Sequence, residues 1–152
     1  MFCGKSDLVI ASPTASFGLP ETLVGVYAWS GGLPRLVHTV GMQLASEITF
    51  TGRRVSATEA LSLHLINKIA GSQASVLEET LEKAREIAAI SSDGVIVSRA
   101  ALCEAWETAS VERAFQITHE RYYHDLLRSE NCAEGLAAFK EKRKPVWKDS
   151  KL

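Results

Sequence analysis

The spacing of apolar residues changes character once, early in the chain. Asp7-Leu8-Val9-Ile10-Ala11 is a short β-like run, and Ser12-Pro13-Thr14 breaks it. Ala15-Ser16-Phe17 predicts a second short strand, followed by a turn at Gly18-Leu19-Pro20. Gly25 and Gly31-Gly32 bracket another irregular stretch. From about Leu33 the pattern is helical. Leu36, Val40 and Leu44 recur every four residues, and Ala45 and Ile48 continue the same face to a stop at Thr51-Gly52-Arg53-Arg54. Ser56 predicts a helix N-cap, with Glu59 completing a capping box ahead of Ala60, Leu61 and Leu63. Ile66-Asn67-Lys68-Ile69 reads as an extended end.

The remainder is helical by the same criterion. One helix is expected from Val76 to Ile90, with Leu77, Leu81, Ala84 and Ala88 on one face. After the punctuation Ser91-Ser92-Asp93-Gly94, a second runs from Val95 to about Thr108. Ser110 caps a third, whose Val111, Ala114, Phe115 and Thr118 are expected to face inward. Asn131 or Cys132 opens a fourth, which ends in the basic run Lys140-Glu141-Lys142-Arg143-Lys144 before Pro145. His119 and Tyr122-Tyr123 are expected in a helix–helix interface. The few strands cannot close a sheet by themselves, so their edges need further sequence or a partner.

Composition narrows the function classes. With 46% hydrophobic and 23% charged residues in 152, the chain reads as an ordinary globular protein. A formal net charge of −1 gives no reason to expect nucleic acid or an anionic membrane as partner. No apolar run is long enough to predict a membrane span. Cys3, Cys103 and Cys132 are odd in number and far apart, which suits neither a disulfide framework nor a zinc site. His38, His119 and His124 have no metal-ligand spacing, so no metal is expected.

The last three residues are more specific. Ser150-Lys151-Leu152 is the tripeptide by which a peroxisomal import receptor recognises its cargo, and it is read only at the extreme C-terminus. The expectation is a peroxisomal protein whose basic tail stays solvated. The alternative is a frayed, charged end.

Several blocks then resemble one family. Phe17-Gly18-Leu19-Pro20-Glu21 is similar to the F-G-x-P-E segment of the enoyl-CoA hydratase/isomerase (crotonase) family. Gly31-Gly32-Leu33-Pro34-Arg35-Leu36 resembles its G-G-x-x-R-L helix start, and Thr51-Gly52 with Ala57-Thr58-Glu59-Ala60 resembles its T-G…A-x-E-A segment. Phe139-Lys140-Glu141-Lys142-Arg143-Lys144-Pro145 resembles its F-x-E-K-R-x-P tail. The blocks run in the family's order from Asp7 onward.

The resemblance implies an α/β fold: part of the crotonase ββα spiral over residues 1–70, then a mainly helical trimerisation region over 71–147, with 148–152 as the signal-bearing tail. It implies an acyl-CoA thioester as substrate and no separate cofactor. The family's reactions serve fatty-acid β-oxidation or the biosynthesis of acyl-derived secondary metabolites. In this family two backbone N–H groups hold the thioester oxygen as charge develops, and glutamates move protons at the neighbouring carbons. Glu21 matches a catalytic glutamate; a first-turn glutamate is also favoured by the helix dipole alone. Phe139 and Lys142 match CoA contacts made from a neighbouring subunit, although a basic helix end is also favourable by itself.

The resemblance covers only the C-terminal part of the family. The position of a second catalytic glutamate falls at Met1, and no oxyanion donor is identifiable. A single glutamate points to double-bond isomerisation over hydration. The alternative is a catalytically incomplete chain that joins homo- or hetero-oligomers of a full-length relative. Trp29 stands where the family turns tightly, and is expected either to reshape an acyl pocket or to fill the core. His64 replaces a glycine that favours positive φ, and is read as a cap.

Overall fold

The computed structural model describes residues 6–152. The expectations placed on Met1 and Cys3 lie outside the described residues. The chain forms two compact units, Met1–Glu82 and Lys83–Leu152.

The first unit is built on two small ladders. β1 (Ile10–Ala11) pairs in parallel with β4 (Lys68–Ile69), and β2 (Ser16–Phe17) pairs antiparallel with β3 (Val55–Ser56). The β1–β4 ladder is extended at both ends: Asn67 N–H donates to Val9 O, Ala70 N–H to Ala11 O, and Val9 N–H to Asn67 Oδ1 at 2.7 Å. β1 opens with a half-buried Ile10 and a buried Ala11, and the core continues through Leu19, Ala28, Leu36, Ala45, Ile48, Val55, Ala60 and Ile66.

The helical face expected from Leu33 to Thr51 is present, but as two helices. α1 (Gly32–Val40) ends and α2 (Met42–Thr51) begins at Gly41, whose φ of 80° and ψ of 166° suit glycine and not a helix. The apolar spacing survives the break because Leu36, Ala45 and Ile48 all reach one core. α3 (Ala57–Ser62) starts at Ser56, whose Oγ accepts the Glu59 N–H at 3.2 Å. It ends before His64, which holds φ at 57°. His64 thus takes the left-handed conformation expected at that position.

α4 (Val76–Ala88) begins in the first unit. Glu79 anchors its start by accepting from Gly71 N–H at 2.8 Å and Ser75 Oγ at 2.7 Å and by pairing with Lys68 at 2.6 Å. Together these hold its carboxyl down at about 2, Lys68 contributing most. Leu77 and Leu81 do share a face of α4, and both are exposed.

The second unit is helical. α5 (Ser92–Thr108) is capped by Ser91 and α6 (Val111–Thr118) by Ser110, as its hydroxyl accepts the Arg113 N–H. A π-helical stretch, His119–Tyr123, joins α6 to α7 (His124–Arg128), and α8 (Glu130–Glu141) follows. His119 stacks on Tyr123 with ring centroids 4.1 Å apart.

Two expectations fail here. The cap of α8 is Ser129, which accepts the Cys132 N–H; Asn131 is inside the helix and buried. Val111 and Phe115 face outward, 88% and 63% exposed, and only Ala114 of their helix is buried. Periodicity marks the apolar side of a helix, not what covers it. An open apolar groove of about 380 Å³ lies along α5 and α6, lined by residues that include Ala101, Phe115, His119 and Tyr123.

Candidate active site

Glu21 sits at a turn whose shape follows from its neighbours. Gly18 passes so close to the backbone of Arg53 that a β-carbon there would lie 3.1 Å from its carbonyl oxygen. Leu19 is buried in the core, and Pro20 opens a 3-10 turn, Pro20–Val24. Proline suits that position, since its fixed φ matches the turn and its missing N–H is not needed there.

The turn is then clamped to α2. Thr22 Oγ1 donates to Thr49 O at 2.7 Å. Leu23 lies on Gly52, where a β-carbon would come within 2.7 Å of its side chain and φ is +63°. Gly52 is thus required twice, for conformation and for space. Gly25, at φ 76°, closes the turn, and the Glu21 carbonyl accepts the Val26 N–H at 3.1 Å. So the Phe17–Glu21 and Thr51-Gly52 blocks, far apart in sequence, meet here and fix one carboxylate. Arg53 holds the neighbouring loop by pairing with Glu47 at 2.7 Å and Glu59 at 2.8 Å.

Among the described residues, Glu21 and Asp93 each keep a buried carboxylate oxygen without a hydrogen-bond partner; Asp93 lies under the tail, Glu21 on this turn. In Glu21 that oxygen is Oε2. A buried, unpaired oxygen on a rigid turn costs stability, and such costs concentrate at functional sites. Beyond the turn, Ala28 points into the core while Tyr27 and Trp29 point out and stack, centroids 5.0 Å apart. Trp29 is 72% exposed, so it does not fill the core.

Phe139 and Lys142 belong to the second unit. Phe139 is on the outer face of α8, 86% exposed. Lys142 ends that helix at φ 54° and ψ 37°. Lys142 N–H donates to Phe139 O and Arg143 N–H to Ala138 O, the double closure usually built around glycine. A lysine in that conformation costs about 1 kcal/mol.

The basic side chains of the tail are exposed, as expected, and the tail is also held. Arg143 forks onto both oxygens of Glu134, and Val146 N–H donates to Glu134 Oε1 at 2.8 Å. Trp147 Nε1 donates to Ala89 O at 3.0 Å. Asn131 grips Lys148 by both backbone groups: its Oδ1 accepts the N–H at 2.8 Å and its Nδ2 donates to the carbonyl at 2.9 Å. Glu130 pairs with Lys148 and, at 2.5 Å, with Lys151. Beneath them Asp93 is buried, accepting from Asn131 Nδ2 at 3.1 Å, and hydrogen bonds led by Ser150 keep its carboxyl below the usual range. Sequence reading missed Asp93, Glu130, Asn131 and Glu134, because the contacts that define them come from residues 9 to 21 positions away or more.

Comparison with known proteins identifies the fold. The family model for enoyl-CoA hydratase/isomerase matches residues 1–150, and the chain belongs to that family. It is 44% identical over 147 residues to the mevalonyl-coenzyme A hydratase of Beauveria bassiana, covering 97% of this chain and 52% of that protein. It is 37% identical over 149 residues to the carnitinyl-CoA dehydratase of Escherichia coli K12, covering 94% of this chain and 55% of that one. An enoyl-CoA hydratase subunit I structure from Geobacillus kaustophilus superposes with a TM-score of 0.89 at 33% identity, over 97% of this chain and 56% of that one. The chain therefore spans about half the length of the curated relatives it matches, and has the crotonase-type fold over that half: part of the ββα spiral followed by a helical region.

Proposed function

We propose that this chain supplies the C-terminal part of an acyl-CoA hydratase/isomerase site in which Glu21 transfers the proton. The observation that carries the reading is the Glu21 Oε2, buried, unpaired and fixed by a turn clamped to α2. A carboxylate held this way exchanges a proton with substrate or water without first giving up a protein partner. The named relatives are a hydratase and a dehydratase, which favours adding or removing water over moving a double bond. Mevalonyl-CoA, in the first relative's name, suggests a short, hydroxylated acyl group and a role in an acyl-derived secondary metabolite; fatty-acid β-oxidation is the other candidate route. Phe139 and Lys142 present a ring and a cation outward, chemistry suited to the adenine and phosphates of CoA. The strained backbone at Lys142 supports a side chain retained for binding.

The uncovered apolar residues, among them Leu102, Phe115 and Leu136, support a trimer-based oligomer. The Ser150-Lys151-Leu152 end supports delivery to the peroxisome. The test is turnover of 3-hydroxyacyl- and enoyl-CoA thioesters, mevalonyl-CoA among them, by the native assembly. Glu21→Gln should lower kcat by about 10²- to 10⁴-fold with an unchanged circular dichroism spectrum. Equal turnover by the variant would remove Glu21 from the chemistry. The second reading is a non-catalytic subunit that joins oligomers of a longer relative, and the same exposed apolar faces favour it. Co-purification with such a relative, with no turnover by this chain alone, is the outcome that selects it.

A further inference from the structure

We propose that the targeting tripeptide is latched: the polar face of α8 holds the tail, and the import receptor must compete with it for Lys151. The inference rests on reading Ser150-Lys151-Leu152 as the peroxisomal address.

The tail runs back along α8 from its end towards its start. Arg143 and Val146 meet Glu134, Lys148 meets Asn131, and Lys148 and Lys151 meet Glu130. The Trp147 ring lies over Gly135, where a β-carbon would come within 3.2 Å of it. A free end would not produce this pattern. Asn131 is buried and spends both ends of its amide on the backbone of one residue, Lys148. That is the pairing a neighbouring strand makes, supplied by a side chain. It fixes the tail two residues before the signal begins.

The signal itself is engaged. The Lys151 ammonium is on Glu130, and Leu152 N–H turns back onto Ser150 Oγ at 3.2 Å. A receptor that reads a C-terminal lysine and the last residue needs both groups free of the protein. Glu130 remains an anion at every physiological pH, since Lys148 first and then Lys151 hold its carboxyl at about 2. Acidity in the cell therefore does not open the latch. Competition, or a change in ionic strength, does.

A ligand that binds only the released form has its affinity reduced by the fraction released. A tail released one time in about ten would bind the receptor about ten-fold more weakly than a free peptide does. The experiment titrates the receptor's tripeptide-reading domain with the full chain and with a peptide of residues 145–152. The peptide should bind about ten-fold more tightly, and Glu130→Gln in the chain should close most of that gap. Glu130→Lys should close it further, because it repels Lys148 and Lys151. Neither substitution alters the peptide. Two arms on the unmutated chain guard against misfolding: raising salt should narrow the gap, and the Lys148 amide should be protected from hydrogen exchange. Equal affinities of chain and peptide, or a Lys148 amide that exchanges as in the peptide, would overturn the latch and leave the address intact. A peptide that does not bind at all would remove the address, and the latch with it.

Discussion

The two units are held together by different means. The first buries branched aliphatic side chains, with Ile48 at 2% and Val55 at 1% exposure, and its polar contacts decorate that core. The second, among its described residues, buries two alanines, Ala114 and Ala138, alongside Asp93 and Asn131. Its larger apolar side chains, Leu102, Phe115 and Phe139 among them, are on the outside. Burial of apolar area is the main stabilising term in folding, so the first unit draws more on its core, although Val24 and Phe50 stay exposed there too. The second depends on hydrogen bonds, ion pairs and whatever covers its helices.

Substitution can test the contrast directly. Ile48→Ala should cost about 2–5 kcal/mol by urea denaturation, since it leaves a cavity in a closed core. Phe115→Ala removes a larger side chain, yet in the isolated chain should cost no more than about 0.5 kcal/mol. It should instead weaken self-association, measured by sedimentation, if the outer faces are covered in an assembly. A loss at Phe115 equal to that at Ile48, without any change in association, would erase the distinction.

Gly52→Ala comes next. It sets a β-carbon against Leu23 at φ +63°, at a cost of about 1–3 kcal/mol. Because Leu23 belongs to the Glu21 turn, activity should fall further than stability predicts, a split that kinetics on the folded fraction would show.

Lys142→Gly should act in the opposite sense. Glycine relieves the left-handed backbone and should stabilise the second unit by about 1 kcal/mol. CoA binding, followed by calorimetry, should weaken at the same time. A variant that is less stable would show that the lysine side chain packs rather than binds.

The smallest effect is with pH. Glu130 and Glu134 have carboxyls held at about 2, by Lys148 and Arg143 respectively as the leading causes. A carboxyl depressed on folding stabilises the folded form fully above its unfolded value of about 4.5. That contribution fades as pH falls from about 4.5 towards 2, when the unfolded state takes up protons first. Acid should therefore loosen the tail before it disturbs the Ile48 core. Glu79 in the first unit shifts likewise, so its loop at Gly71 should loosen over the same range. Amide exchange at Val146, Gly71 and Ile48 across that range would order the three.

What could be read from the sequence was local. Ser56 and Ser110 were legible as caps because their partners, Glu59 and Arg113, are three residues on. The Gly41 break was not, since the helical spacing of Leu36, Ala45 and Ile48 continues across it. Asn131 looked like a cap because its residue type suits one, but its amide is committed to Lys148, 17 positions away. Glu21 was singled out by resemblance alone. The clamp that fixes it, Thr22 on Thr49 and Leu23 on Gly52, depends on a contact that no local pattern encodes. Outward-facing Phe115 was misread for a related reason: an apolar stripe promises a partner without saying that the partner is in the same chain.

The hydrogen bond from Trp147 to Ala89 has a consequence for timing. It joins residues 58 positions apart, one at the head of the helical unit and the other near its end. On the ribosome the chain emerges head first, so the Ile48 core can close while the last helices are still being made. Ala89, Asp93 and Asn131 have no such option. Their partners, Trp147, Lys148 and Ser150, lie up to 58 positions later, and the helical unit acquires that fastening only once those residues have been made.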